Sequence, residues 1–514
     1  MDQARNAERP RGRGRVVMLV DNAVNGDSRV QKSARTMAEA GWDVILLGQS
    51  PDRRTRSWQL GEAEVRLIPV PARLGRLRHQ LRHPGWRRPF AYRTAEMAHQ
   101  RVQRAKAWRA DLRVRGIAER RAFPLSRTTA LLAMRWTLFR RRQLNAAVTA
   151  RKNRDTPLAK ARTAFWKLTL RDRFWRRIEP GLWDGELAFG PVVDALAPDL
   201  IHANDFRMIG VGARAVQRAR AGGRTVKLVW DAHEFLPGLK PRADRHTWMP
   251  GHCAHEREYA RCADAVVTVS GTLAELLQAE HDLPRLPAVV LNAPGGEPPA
   301  GPEAEETPDL RELCGIGPDD PLLVYSGAAA EQRGLGTMVE ALPQLPGVHC
   351  AFVVSAPRGT YMKSVLARAE ELGVAERIHI LPYVPYWQVV PFLAAADVGV
   401  IPIHHWPNHE LALITKFMEY AHARLPVVVS DVRTMAEAVR ETGQGEVFRA
   451  EDTADFVRAV RAVLEAPDGY RAAYDRAGLL DQWTWQAQAE VLDGVYSGLL
   501  PTPAHSGASR LVTA

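Results

Sequence analysis

Cysteine is scarce. The 514-residue chain holds four, Cys253, Cys262, Cys314 and Cys350, and no C-x-x-C pair. That argues against a disulfide framework and the thiolate zinc modules. His252, Cys253, His255 and Cys262 fall together in HCAHEREYARC, but their spacing matches no standard finger, so no metal is expected. There is no run of 18 or more apolar residues, and no transmembrane helix is expected. Residues 1–15 lack the apolar segment of a secretory signal and read as a disordered basic tail; residues 501–514 read as a second tail. Internal repeats are also missing. The chain opens on a strand, a small-residue loop and a helix, VVMLV then DNAVNGDSRVQKSA. Yet it lacks G-x-G-x-x-G, and no acid closes the second strand at VILLG, so a dinucleotide cofactor is not expected.

Positive charge is abundant and uneven. The formal net charge is +12, yet residues 71–180 hold 26 Arg and 4 Lys against 6 acidic residues, a local balance of +24, which leaves −12 for the rest. This segment interleaves Arg with Trp86, Trp108, Trp136, Trp166 and Trp175, as in MRWTLFRRR. Helices of that kind suit an anionic membrane surface, with rings at the headgroups and cations against lipid. A protein-interaction surface or lid that packs its aromatics internally is the competing reading. No recognition motif accompanies the charge, so nucleic acid is not an expected partner.

Outside that segment, strands and helices alternate, which predicts parallel, doubly wound sheets. The expected organisation is an N-terminal Rossmann-like domain over 16–295, interrupted by a basic helical insertion at 71–180, then a Pro/Gly/acid-rich linker at 296–309. A second Rossmann-like domain over 310–480 and an amphipathic helix over 481–500 follow. Ligands bind such sheets at the carboxyl ends of the strands.

Several loops carry a resemblance. The opening stretch holds D-S-R-V-x-x-x-A at Asp27, Ser28, Arg29, Val30 and Ala34; DLIHAND and WDAHEFLPG follow; NHELALITKFMEYAHARLPVVVS holds K-x-x-E-Y at Lys416, Glu419 and Tyr420. Together with ADAVVTVS, VVLNAP and the ending WTWQAQAEVLDGVYSGLL, these resemble the family 4 (group 1) glycosyltransferases of GT-B fold, in a subgroup with DAHE and K-x-x-E-Y. The resemblance covers nearly the whole chain except 71–180 and the tails. It implies two Rossmann-like domains facing a cleft. The first loop (Gly26, Asp27, Ser28, Arg29) would lie on the acceptor side, and the nucleotide sugar would bind mainly to the second domain.

In such a transferase carboxylates suit ribose hydroxyls, while cations and helix N-termini suit the diphosphate. The resemblance assigns Glu419 to the ribose. Lys416, one turn earlier on the same face, and Arg333 in EQRGLG are assigned to phosphate. Gly327 ends the first strand of the second domain, where many relatives continue with Arg; here Ala328 follows. Many members carry E-x7-E, but eight residues before Glu419 stands Leu411, with Glu410 one out of register. Which of Asn408, His409 and Glu410 reaches the donor sugar stays open. His404 and His405 are read as part of this polar loop rather than as metal ligands. His202 and Asp205 in DLIHAND, and His233 and Glu234 in DAHE, are the catalytic candidates. Asp27 or Ser28 is equally well read as a helix cap.

The resemblance implies a retaining hexosyltransferase without a bound cofactor, using a UDP- or GDP-linked donor and a glycan or lipid-linked acceptor. The setting would be cell-envelope or exopolysaccharide synthesis, in the cytoplasm at the inner membrane face. A UDP-sugar 2-epimerase of similar fold and a non-catalytic partner subunit are the alternatives.

Overall fold

The computed structural model describes residues 13–71, 74, 88–152, 157–239, 246–295 and 307–500. Both expected tails lie wholly or mostly outside these residues, as do Trp86 and most of the 296–309 linker. The chain divides into two compact units: Met1–Val70 with Leu187–Leu239 and Glu256–Ala514, and Pro71–Glu186 with Lys240–His255.

The first unit holds two sheets. One comprises β1 (Arg15–Leu19), β2 (Asp43–Gln49), β3 (Arg56–Leu60), β4 (Ala63–Ile68), β5 (Leu200–Asn204), β6 (Lys227–Ala232), β7 (Ala265–Thr268) and β8 (Ala288–Val289). Its order is β3-β4-β2-β1-β5-β6-β7-β8, parallel except for β3 against β4. The other comprises β9 (Leu322–Ser326), β10 (His349–Val353), β11 (Ile378–Leu381), β12 (Val398–Ile401), β13 (Val427–Ser430) and β14 (Gly445–Phe448), ordered β11-β10-β9-β12-β13-β14 and wholly parallel. In both, the strand order reverses beside the first strand of the series, where doubly wound sheets open a ligand crevice. Strands β3 and β14 add to the sequence reading. Both are edge strands with mostly exposed or half-exposed residues, so no apolar run announces them.

Period-2 alternation builds the second core. Leu322 and Val324 of β9 pack with Ile401, Phe417 and Met418 on one face, while Leu323 and Tyr325 pack with Val398, Leu335 and Phe456 on the other. In the first sheet, Val16, Met18, Val44 and Leu46 pack on Val30, Ala34 and Met37 of the Ser28–Glu39 helix. The last helix, Trp485–Leu499, returns to this same cluster with Trp485, Leu492 and Tyr496. By area each of these three contributes about 1.5–3 kcal/mol.

The second unit is helical. Helices span Ala95–Ala118, Pro124–Lys152 and Pro157–Leu170. The first is capped by Thr94, whose side chain accepts from Met97 N at 3.1 Å. It buries the small stripe Ala98, Val102, Ala105 and Leu112 and leaves Trp108, Val114 and Ile117 exposed. Lys240–His255 joins this unit, which the sequence alone did not suggest. Thr247 donates to Glu179, and Gly251 comes so close to Glu179 that a Cβ there would stand 2.5 Å from Cγ.

Candidate active site

A cavity of about 520 Å³ opens in the first unit at the carboxyl ends of β9 and β10, facing the start of the Ser28–Glu39 helix. That volume suits a small organic ligand. Gly26, Ser28, Gln31, Lys32 and Arg35 line one wall; Gly327, Arg333, Thr415, Lys416 and Glu419 line the other; Val384, Val389, Phe392 and Ile414 make an apolar end beside Tyr383 and Tyr386.

Backbone geometry brings the ligand-facing groups forward. Gly26 has φ +85°, and a Cβ there would meet nothing within 4 Å, so its glycine serves the turn and leaves the wall open. Gly327 has φ +148°, and a Cβ would stand 2.6 Å from Lys416 Nζ. The strand end is bare so that the ammonium can pass over it. Lys416 Nζ lies 3.9 Å from the centroid of the Tyr325 ring. Among the described residues it has no ion-pair or hydrogen-bond partner. Burial, then the charge of Arg333, hold its pKa well below the ordinary lysine range, against the pull of Glu419. Burial pushes the Glu419 carboxyl up, opposed by Lys416 and Lys32. Tyr420, next in sequence, turns into the core, accepts from Ser326 N at 3.0 Å and packs on Gly399. It fixes the helix that presents Lys416 and Glu419.

A second cluster stands at the carboxyl ends of β5 and β6. Asp205 opens the Asp205–Ala221 helix with φ +66°, a conformation that costs a non-glycine residue of order 1–3 kcal/mol. Its carboxylate accepts from Phe206 N at 2.8 Å. Burial raises its pKa to about 6; His233 opposes, while Glu234 and Asp21 add to the rise. His233 Nε2 stands 3.3 Å from Asp231 Oδ2. Burial would lower the His233 pKa, but the charge and hydrogen bond of Asp231 more than offset it, and the imidazole is raised. Arg207 pairs with Asp21 beside them.

Residues 320–466 match the family described as "Glycosyl transferases group 1", and residues 139–293 match "Glycosyltransferase Family 4". The chain belongs to the group 1, family 4 glycosyltransferases. A D-inositol 3-phosphate glycosyltransferase from Nocardia farcinica is 28% identical over 203 residues, 37% of this chain and 43% of that protein. A glycogen synthase from Mycobacterium tuberculosis is 26% identical over 308 residues, 58% of this chain and 68% of that protein. The chain thus spans less than half the length of the first and about two thirds of the second. The fold is GT-B: a sucrose-phosphate synthase structure from Thermosynechococcus elongatus superposes with a TM-score of 0.58 at 15% identity, covering 94% of this chain and 98% of that one.

In this family member several motif residues do not line the cavity, Asp27, Asp205, His233 and Glu234 among them. His202 is not at a strand end. It lies mid-strand in β5, fully buried, with Nδ1 2.7 Å from Tyr496 Oη and Nε2 3.5 Å from Asp231 Oδ2. Arg29 is not on the loop's open face. It points into the interior, where Nε and Nη2 donate to Asp231 and Nη1 donates to Val290 O at 2.7 Å. Asp231 would be pushed up by burial, but Arg29 first and then the two imidazoles hold it well below the carboxylate range. Asn408 and Glu410 are braces. Asn408 Oδ1 accepts from Phe235 N at 3.1 Å. Glu410 accepts from His405 Nδ1 at 2.6 Å and Arg433 N at 2.7 Å, and His405 Nε2 reaches Asp431 at 3.0 Å. Asp27 caps its helix, accepting from Val30 N at 3.3 Å. Among the described residues no group of three or more His, Cys, Asp or Glu could hold a metal ion.

Lys32 and Arg35 were not singled out from sequence. With Ser28 they fall at i, i+4 and i+7, a polar stripe on a helix whose buried face is Val30, Ala34 and Met37. That spacing was the available signal.

Proposed function

We propose that the chain is a retaining glycosyltransferase that moves a sugar from a UDP- or GDP-linked donor to a hydroxyl of a glycan or lipid-linked acceptor. The observation that carries this reading is the meeting, in one cavity, of two cations that have no bonded carboxylate among the described residues, Arg333 and Lys416, a bare strand end at Gly327, and the carboxylate of Glu419. Arg333, Lys416 and the backbone N–H groups near Gly327 suit a diphosphate. Glu419 suits two ribose hydroxyls. Tyr383, Tyr386 and the apolar end suit a base.

In the reaction the acceptor hydroxyl attacks the anomeric carbon on the face from which the diphosphate leaves. The carbon–oxygen bond to phosphate breaks, its electron pair stays on the phosphate oxygen, and that oxygen takes the acceptor proton. The cations stabilise the charge that develops on the leaving group. No protein nucleophile is needed and no bound cofactor enters. Asp205, His233 and Glu234 would hold the acceptor hydroxyl.

We also propose that the second unit docks on an anionic membrane surface, beside a lipid-linked acceptor for cell-envelope or exopolysaccharide synthesis. The supporting observation is exposure: Trp108, Trp136, Phe165 and Leu168 are 41%, 48%, 55% and 84% exposed within the Arg-rich segment. Trp175, by contrast, is buried at 1%. No described helix is long and apolar enough to cross a membrane.

The test is a panel of nucleotide sugars, followed by thermal shift and nucleoside diphosphate release, for the wild type and Glu419→Ala. One donor should stabilise the wild type and be turned over, and Glu419→Ala should lose both effects. Return of an altered sugar without acceptor would make the protein an epimerase. No binding at millimolar donor would leave a non-catalytic subunit.

A further inference from the structure

The cavity's charge is not confined to the wall built by the second sheet. Lys32 sits one helical turn after Ser28 on the opposite wall. Its Nζ donates to Asn292 Oδ1 at 3.1 Å and to Ala293 O, just after β8, where the chain leaves the first sheet. The same Nζ lies 4.7 Å from the Trp485 ring centroid, where the chain returns to that sheet. An ammonium has three donors. Two are used, and among the described residues no third acceptor is bonded.

We propose that Lys32 is a donor-site residue that gives its third N–H to the phosphate groups of the nucleotide sugar, so that the diphosphate is clamped between the two sheets of the GT-B fold. This rests on the donor-cavity reading above. The cavity wall then carries Lys32, Arg35, Arg333 and Lys416 against one carboxylate, Glu419. Arg35 uses one of its five N–H donors on Tyr386 Oη at 2.9 Å, whereas Lys32 is the cation of that wall whose ammonium is anchored by Asn292 and Ala293, without a bonded side-chain anion among the described residues.

The placement has a pH signature. Burial, then the charge of Arg29, lower the Lys32 pKa to about 7, while Glu419 and Asp27 work the other way; Asn292, Ala293 and the Trp485 ring are its other neighbours. An added anion favours the charged ammonium, so binding draws in a proton, and affinity should fall as pH rises above about 7.

The experiment is calorimetric titration of the full chain with UDP and GDP, with the nucleosides as controls, for wild type, Lys32→Gln, Lys32→Arg and Lys416→Met, from pH 6 to 8.5. Lys32→Gln keeps hydrogen-bonding reach to Asn292 and Ala293 without the charge. It should bind the preferred nucleoside diphosphate about tenfold more weakly, with melting temperature and nucleoside binding unchanged. Lys32→Arg, charged throughout, should recover affinity and flatten the pH slope. If Lys32→Gln does not fold, the flattened slope of Lys32→Arg decides. Full affinity in Lys32→Gln beside weakened Lys416→Met would overturn the proposal and make Lys32 a structural pin, with the donor reading intact. No nucleoside diphosphate binding by the wild type would end both.

Discussion

Arg29 and Asp231 are joined by two hydrogen bonds, Nε to Oδ2 at 2.9 Å and Nη2 to Oδ1 at 2.8 Å, with side-chain exposures of 5% and 1%. The pair ties the first helix to β6, and the same carboxylate steadies His233. Removing one partner strands a buried charge. Arg29→Met should therefore lower stability by about 3–5 kcal/mol in urea unfolding. The double variant Arg29→Met/Asp231→Asn should regain part of that loss. Strict additivity of the two single variants would deny the coupling.

Lys416 is predicted to oppose stability and serve binding. Its ammonium is buried, with a pKa held down first by that burial. Lys416→Met should leave the melting temperature equal or higher. It should weaken nucleoside diphosphate binding by about ten- to a hundredfold, the scale of one charge-assisted hydrogen bond. Thermal melts with and without ligand measure both.

Asp205 should show the same trade. Its folded pKa of about 6 lies above the reference of 3.8 because of burial. The folded state therefore binds the proton more tightly than the unfolded chain, and stability falls as pH rises from about 4 to 6. The loss is on the order of 2–3 kcal/mol and persists above that range. Asp205→Asn, which also tolerates a positive φ, should be more stable than wild type at pH 7.5 and should lose acceptor-dependent turnover. Equal pH–stability curves for the two proteins would remove the assignment.

The loop from 404 to 411 should loosen as pH rises. The hydrogen bond to Glu410 raises the His405 pKa; burial works against it, and the charges of Glu410 and Asp431 add to the rise. A raised histidine contributes its stability below the unfolded pKa and loses it as pH rises through the folded one. Amide exchange in this loop, corrected for intrinsic rate, should speed up in wild type as pH rises past 6.5, the ordinary imidazole value. It should be fast and flat in His405→Ala.

The exposed rings of the second unit carry the membrane prediction. Trp108→Ser/Trp136→Ser should float less with anionic vesicles than wild type, and neither should float with neutral ones. Wild-type binding that is equal on both vesicle types, or absent from both, would leave the Arg-rich helices to a protein partner.

The two-sheet plan was legible because buried parallel strands write continuous apolar runs, such as VVML in β1 and LLVY in β9. The short edge strands β3 and β14 do not, and went unread. Motif spacing brought Lys416 and Glu419 to one face, since three residues on a helix is nearly a full turn. It could not orient His202. Every residue of β5 is buried, so alternation carries no information about which side chain meets a cavity. Arg29 and Ser28 are adjacent in sequence yet face opposite ways, because neighbours on a helix point about 100° apart. Asn408 and Glu410 lie in a loop, where no period assigns a face. The role of Lys240–His255 in the helical unit depends on contacts with residues near 179, a pairing that local pattern does not encode.

Tyr496 and Trp485 close the core that Met18 and Val44 begin, and Asp493 bonds Arg13 across 480 positions of chain. During synthesis the first sheet therefore emerges without its cover. About 200 residues separate β8 from the 485–499 helix, so at translation rates of about 5–20 residues per second the sheet waits roughly 10–40 seconds for it. Over that interval its apolar face lies open to solvent, and the core of the first sheet closes only once residues 485–499 have joined it.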